Sequence, residues 1–479
     1  MSEAAPDAIV VGSGPNGLAA AITVARAGRS VRVYEAASTI GGGTRTDELT
    51  LPGFRHDVCS TILPLTIASP FFRSIDLAAH GVEVIQPDAP VAHALDDGRA
   101  AVLERSVAVT ADGLGRDGPA WRRLFGPLVA DADKLASELL RPVVHMPRHP
   151  VAMARFGLPA LLSATALARL AFRDEDARAL FAGLAAHSMV DLHRPLTASF
   201  GLVLGLYGHA AGWPMIQGGA AGIATALAEE LRGLGGSIET DRRITTLAEL
   251  PPARAVFLDT SPRAAVSIAG ARLPDRTRRI YEQFRYGSGV FKVDWALDGP
   301  IPWRADGLRR AATVHLGGTI GEVAAAERTV ARGSHPDRPF VLCVQYAPWD
   351  PTRAPAGKTT AWAYCHVPPG STVDMTARSE AQVERFAPGF RDRILARATR
   401  GPADMEAYDA NYVGGDINAG IQDIRQLVLR PGPLRDPYWT GTPGLYLCSS
   451  STPPGCGVHG MSGYLAALSA LRREWARRP

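Results

Sequence analysis

Lysine is nearly absent. Of the 51 basic residues only Lys134, Lys292 and Lys358 are lysine; the remaining 48 are arginine. Net charge is also small, +4 from 51 basic and 47 acidic residues, so the chain carries no field suited to a polyanion and no nucleic-acid partner is expected. Cysteine is scarce. Cys59, Cys343, Cys365, Cys448 and Cys456 make neither a C-x-x-C pair nor a zinc spacing, which predicts free thiols in a cytoplasmic protein. His187, His193 and His209 show no i, i+4 spacing and no placed carboxylates, so no metal site is expected. No run of about 18 uncharged apolar residues exists, so no transmembrane helix is expected. The opening MSEAAPDAIVV lacks a charged n-region and a long apolar run, so a secretory leader is not expected either.

What is present is an ordinary globular composition, 46% apolar and 20% charged, in 479 residues. That length exceeds what a single core of about 250–300 residues sustains, so two domains are expected. The most informative stretch is Asp7–Ala36. Ala8–Val11 is a short apolar strand; Gly12, Gly14 and Gly17 follow in G-x-G-x-x-G spacing; an Ala-rich helix runs to near Gly28; Val31–Tyr34 is a second strand leading into Glu35. This is a βαβ unit carrying a dinucleotide fingerprint. Gly12 permits the tight turn, Gly14 lets a diphosphate approach the backbone, and Gly17 lets helix and strand pack closely. Glu35, 18 residues beyond Gly17, stands where an acid hydrogen-bonds a ribose. A carboxylate there suits the free ribose of FAD or NAD and repels the 2′-phosphate of NADP.

Ile40-Gly41-Gly42-Gly43-Thr44-Arg45-Thr46 brings a second glycine turn toward the same ligand, with Thr44, Arg45 and Thr46 as donors. The motifs GSGPNGL, YEA and GGGTRT followed by GFRHD resemble the amino-oxidase type of FAD-binding fold, and within it the phytoene-desaturase-related oxidoreductases. Amine-oxidase relatives often carry Gly-Gly-Arg in this loop; here Gly43 stands at the Arg position and the arginine is Arg45, as in the phytoene-desaturase-related branch. The resemblance implies an α/β Rossmann-like FAD-binding domain with a discontinuous second domain of mixed or antiparallel sheet plus helices. Residues 1–80, 214–284 and 431–479 are assigned to the FAD-binding domain, and 81–213 and 285–430 to the substrate or cap domain. Asp57, in the GFRHD segment, is read equally as a cofactor contact or a turn acid.

Along the rest of the chain, residues 82–110 alternate and predict short antiparallel strands, with turns at Asp96-Asp97-Gly98 and Ala111-Asp112-Gly113. Residues 118–210 are helical in pattern. Phe156–Phe172 is its most apolar stretch and has two readings: a core or cap helix, or an interfacial helix giving peripheral membrane contact. A helix with Ile223, Leu227, Leu231 and Leu234 on one face ends at Gly235-Gly236. Arg242–Thr246 and Ala255–Asp259 are predicted strands, as are Gly289–Leu297, Phe340–Ala347 and Thr360–Val367; Glu380–Ala398 is a predicted helix. Alternation puts Trp362, Tyr364 and His366 on one face, either a substrate pocket wall or plain core.

The C-terminal stretch from Gly455 to Gly463 resembles the family's flavin-contacting loop before a final helix, and His459 is its one titratable side chain and the candidate proton-handling group. Cofactor contacts implied by the resemblance are Gly12, Gly14, Pro15, Asn16, Gly17, Glu35, Gly42, Gly43, Thr44, Arg45, Ile244, Gly455, Gly457, Val458 and Met461. The implied activity is FAD-dependent desaturation or dehydrogenation: a hydride passes from an apolar, extended substrate (polyene, terpenoid or polyketide-like) to flavin N5. Two other readings stay open, a flavin-containing isomerase or cyclase without net redox change and a non-catalytic flavin-binding interaction protein. The electron acceptor is not legible.

Overall fold

The structure, a computed structural model, describes residues 5–476. In chain order the elements used below are β1 (Ala8–Val11), α1 (Pro15–Arg26), β2 (Val31–Tyr34), β3 (Ala89–Ala94), β4 (Ala100–Leu103), α2 (Pro150–Ala160), α3 (Ala164–Ala171), α4 (Glu175–Ala186), α5 (Thr197–Ala210), α6 (Ala221–Gly233), β5 (Ser237–Glu239), β6 (Ala255–Leu258), β7 (Gly289–Leu297), β8 (Ala311–Leu316), α7 (Ile320–Ala331), β9 (Val341–Gln345), β10 (Thr359–Val367), α8 (Thr376–Phe386), β11 (Ile394–Arg400), β12 (Leu445–Leu447) and α9 (Met461–Ala470).

Two sheets organise the molecule. The first is parallel, in the order β12-β6-β1-β2-β5. Its central β1 is buried along its whole length, as a strand covered on both faces must be. The chain leaves β1 through α1 to β2 on one side, while β6 flanks β1 on the other. The carboxyl end of β1 is therefore the point where the strand order reverses and a crevice opens. α1 packs against α9 and α6. The crossing with α9 is so close that a Cβ on Gly463 would stand 1.7 Å from the Asn16 carbonyl oxygen.

The second sheet is mixed, in the order β11-β7-β10-β9-β8-β3-β4. Its pairings are antiparallel except that β8 and β3 run parallel. α8 packs on β8 and β10, while α4 packs against β3, β4 and β8 and touches α7. Asp96-Asp97-Gly98 lies in the turn between β3 and β4, with Gly98 in the left-handed region at φ +82°. The architecture is thus mixed α/β: a Rossmann-like parallel sheet and a second mixed sheet with helices.

Three local expectations are corrected. Residues 107–113 form a helix rather than a strand and turn. Ser106 caps it by accepting the Val109 amide, and the helix packs along the helix Gly118–Ala130. Arg242–Thr246 forms no strand; β5 is the edge of the sheet and the chain leaves it with the Arg242 amide bonded back to the Glu35 carbonyl at 2.8 Å. The predicted helix over 380–398 is two elements. α8 ends at Phe386, just before Pro388-Gly389, and β11 follows as an edge strand whose residues alternate between half-buried and exposed.

The apolar stretch 156–172 is also broken. α2 and α3 meet at 101°, and no single helix among the described residues is long and apolar enough to cross a membrane. Their inner sides, Ala152, Phe156, Ala164, Leu167 and Ala168 among them, are buried, and both helices pack on α5. Their outer sides are not covered: Val151, Leu158, Leu161 and Leu170 are exposed, as are Val143, Val144 and Met146 just before them.

Candidate functional site

A cleft of about 420 Å³ opens at the carboxyl end of β1. Its floor is the first glycine turn. Gly12 sits at φ +102°, and the helix that follows begins with Pro15 at its first position, where the missing N–H costs nothing. The second glycine turn closes over it: a Cβ on Gly42 would lie 3.3 Å from the Gly14 Cα, and one on Gly43 would lie 2.2 Å from the Tyr412 hydroxyl. Two backbone turns without side chains therefore face a slot, which is the shape a diphosphate requires.

Glu35 lies at the next station, where β2 ends. Its carboxylate accepts the Ser13 amide at 2.9 Å, the Ser13 hydroxyl at 2.6 Å and the Ala37 amide at 2.9 Å. Arg45 donates to it at 3.2 Å and to the Thr39 carbonyl at 2.9 Å, with its guanidinium over the Tyr408 ring. Arg45 is thus directed to the Glu35 end of the cleft. Ile244, Arg242 and Arg243 border that end too.

The cleft brings together Gly12, Gly14, Pro15, Asn16, Glu35, Gly42, Gly43, Thr44, Arg45, Ile244, Gly457 and Val458. Three other expected contacts stand behind its wall. Gly17 is packed where a Cβ would meet the Gly12 carbonyl oxygen at 2.2 Å. Gly455 faces the Arg430 guanidinium, and Met461 is buried at the start of α9. The buried Asn16 Oδ1 and Thr260 Oγ1, on two cleft-lining residues, have no protein partner. Orphaned acceptors and donors beside two bare glycine turns fit a polar nucleotide.

The expectation for His459 is corrected. It is buried, its Nδ1 accepts the Met461 amide at 3.1 Å and its Nε2 lies 3.2 Å from the Gly455 carbonyl. Burial pushes its pKa down to about 4. A neutral imidazole with both nitrogens committed to backbone holds the loop and is not free to shuttle protons.

Trp362, Tyr364 and His366 do share one face of β10. The first two rings stack at 5.7 Å and the next pair lies at 5.6 Å. They do not line the cleft. Trp362 donates to Thr61 and Tyr346, and His366 is held by Glu327 at 2.8 Å. Tyr364 does reach a small apolar cluster of Met189, Val290 and Met405, joined by Cys59, Tyr412 and Ile417, of which Tyr412 and Ile417 also border the cleft.

Behind that cluster lies a charged network that sequence spacing did not bring together. Asp57 is fully buried and turned away from the cleft. It accepts from Thr46, Thr61, Tyr346 and the Ala220 amide, and pairs with Arg353 at 3.1 Å. Arg353 also binds Asp350 at 2.7 Å. Next to it Lys292 donates to Asp294 and to the Asp57 carbonyl, and lies over the Trp362 ring at 5.0 Å. Burial pushes the Lys292 pKa down and that of Asp294 up, and the charge of each partner works against that shift. Two further carboxylates belong to the cleft itself: Asp259, at the end of β6, and Asp409. Ligands of α/β sheets bind at strand carboxyl ends, so the run AVFLDTSP was the available signal for Asp259.

The first βαβ region, residues 10–75, matches the family model described as an NAD(P)-binding Rossmann-like domain. Across 97% of its length the chain is 25% identical to 93% of a Mus musculus protein called pyridine nucleotide-disulfide oxidoreductase domain-containing protein 2. Over 29% of its length it is 28% identical to a limonene dehydrogenase component from Castellaniella defragrans, covering 25% of that protein. Among solved structures, an oxidoreductase from Methanosarcina mazei superposes with a TM-score of 0.63 at 16% identity, covering 97% of this chain and 99% of that one. Putrescine oxidase bound to putrescine superposes at 0.60 and 18% identity, covering 98% of this chain and all of the other. The chain therefore has the fold of these oxidoreductases, and the stretch matching the dinucleotide-binding Rossmann-like family supplies the first βαβ unit of its parallel sheet.

Proposed function

We propose that this protein is an FAD-dependent oxidoreductase of the phytoene-desaturase-related type that oxidises an apolar, extended substrate. The observation that carries the reading is the convergence on one cleft of residues 12–16 of the fingerprint, Glu35, the 42–45 turn and the 457–458 loop, three stations near the start of the sequence and one more than 400 residues later. Glu35 is placed for a free ribose, the two glycine turns for a diphosphate, and the late loop for the far end of the cofactor. Bound there, FAD would supply hydride acceptance; the chain's own residues bind it, orient it and keep the neighbouring space dry. The apolar cluster around Met189, Val290 and Met405 is where such a substrate finds an unhydrated surface. A relative named as part of a limonene dehydrogenase supports an apolar hydrocarbon as substrate class. Lys292, opposite Tyr364 in the β7–β10 pairing, is the candidate for holding a proton near that cluster.

The purified protein is expected to be yellow, with bands near about 370 and 450 nm, and heat denaturation is expected to release the chromophore into the supernatant. A colourless protein that takes up no added FAD overturns the reading.

A second observation supports an enzyme that meets its substrate at a membrane surface. From 139 to 173 the chain holds no Asp or Glu but five arginines, Arg141, Arg148, Arg155, Arg169 and Arg173. The same stretch exposes Met146 (89%), Leu158 (71%) and Leu170 (76%). Apolar side chains set among arginines suit an anionic lipid surface. Co-sedimentation with anionic vesicles is expected for the protein, weakened at least about tenfold in the Leu158→Ser/Leu161→Ser/Leu170→Ser variant, since each leucine forfeits about 1.5–3 kcal/mol when fully buried. Equal pelleting of the two proteins removes this reading.

A further inference from the structure

We infer that Asp259 makes dinucleotide binding proton-linked: the cleft accepts the diphosphate with Asp259 in its neutral acid form, and ionisation of that side chain expels the ligand. The inference rests on the cofactor reading above and adds to it the residue that governs affinity.

The geometry is unusual for an anion site. The amides at the start of α1 are the part of the fold that receives a diphosphate. In this chain one of them, the Gly17 amide, already holds a protein carboxylate. The Asp259 Oδ2 accepts the Gly17 amide at 2.8 Å, and it lies within 2.8 Å of where a Cβ on Gly14 would be. Asp259 also lines the cleft beside Gly12, Gly14 and Pro15. An ionised Asp259 would share a helix terminus worth roughly half a positive charge with a ligand that brings two negative charges of its own.

The groups that face Asp259 do not neutralise that sum. They are acidic or neutral: Glu35 from the end of β2, Asp409 from the loop before Asn411, Cys448 just beyond β12, and the Asn411 amide on the Asp259 carbonyl at 3.4 Å. Arg45 is committed to Glu35 and to the Thr39 carbonyl. Arg242 and Arg243 border the Glu35 end of the cleft. Gly43, where a Cβ would stand 2.2 Å from the Tyr412 hydroxyl, brings no charge to the slot. A proton is therefore the charge that resolves the conflict. Burial, with Asp409 and Glu35 close by, pushes the Asp259 carboxyl up to about 8, so the neutral form is already the resting form at neutral pH. Asp409 is pushed up by burial in the same way.

The sign follows. Below about pH 8 Asp259 is neutral and binding carries no penalty. Above it, each pH unit is expected to raise the FAD dissociation constant about tenfold, because one proton must be taken up per ligand bound. Apoprotein titrated with FAD, followed by flavin fluorescence from about pH 6 to pH 9.5, reads this directly. The Asp259→Asn variant is expected to bind with the low-pH affinity throughout. If that variant does not fold, the unaltered protein still answers: calorimetry in buffers of differing ionisation enthalpy at about pH 9 is expected to show uptake of about one proton per FAD. A pH-independent dissociation constant with no proton uptake overturns this inference alone. An Asn variant that keeps the wild-type slope overturns it too. Failure to bind FAD at every pH overturns the cofactor reading and this inference with it.

Discussion

Replacing Arg353 by methionine is expected to cost about 3–5 kcal/mol of stability, the range found when one partner of a buried ion pair is removed. Arg353 is 1% exposed and serves two carboxylates, Asp57 and Asp350, while its guanidinium stacks on the Tyr346 ring at 4.2 Å and donates to the Ile216 carbonyl. Methionine fills much of the volume and leaves both acids uncompensated inside the protein. Burial alone would raise the Asp57 pKa; Arg353 and the donors Thr46 and Ala220 hold it below the ordinary value instead. The stabilisation from Asp57 is therefore present above the unfolded carboxylate pKa and is lost as pH falls through the folded one. In the variant the sign reverses, because the stranded acid is relieved by protonation. Denaturant unfolding of both proteins is expected to show the largest gap near neutral pH and a narrowing gap toward about pH 4. A gap under about 1 kcal/mol at pH 7 would show that water reaches the pair.

Gly17→Val is expected to abolish dinucleotide retention. The reason is space, since Gly17 adopts ordinary helical backbone. A Cβ there would stand 2.2 Å from the Gly12 carbonyl oxygen and 2.8 Å from Asp259 Oδ2. The start of α1 must then lift from the end of β1, and the amides that face the cleft move with it. Overpacking of this kind costs about 1–3 kcal/mol, but the functional loss is larger, because the anion slot is made of those amides. Protein purified from Gly17→Val is expected to carry no chromophore while the wild type does. Gly28→Ala is the control: Gly28 has φ +73° but nothing within 4 Å of a Cβ, so a backbone penalty of about 1 kcal/mol and full cofactor content are expected.

These two sites differ in how readily they could be read from the chain. The three glycines, the strands around them and Glu35 act within one βαβ unit, so spacing alone places them. β7 and β10 were likewise legible from their aromatic-rich, partly alternating runs, which the structure forms as nine-residue strands. Arg353 was not legible. Its partner Asp57 is 296 positions away, and one of 48 arginines carries no local mark. Lys292 did carry one: it is one of three lysines and sits inside an otherwise apolar strand, two residues before Asp294, a pattern that is rare unless the charges are paired. His459 shows the reverse error. A histidine in a glycine-rich loop looks chemically available, but the backbone around it takes both nitrogens. The split of 380–398 into α8 and β11 was announced by Pro388-Gly389, a break that helix propensity on either side obscured.

The order β12-β6-β1-β2-β5 has a temporal consequence. β1 is made long before some of its partners: its neighbour β6 follows about 250 residues later, and β12 with α9, which packs on α1, comes only near residues 445–470. Until then the side of α1 that receives α9 has no permanent cover, and the second sheet cannot close before β11 arrives at 394–400. The nascent chain must therefore carry its unfinished nucleotide fold through most of its own synthesis, at about 5–20 residues per second. Shielding of that half-built layer during synthesis is therefore a demand this strand order adds to the stability of the finished fold.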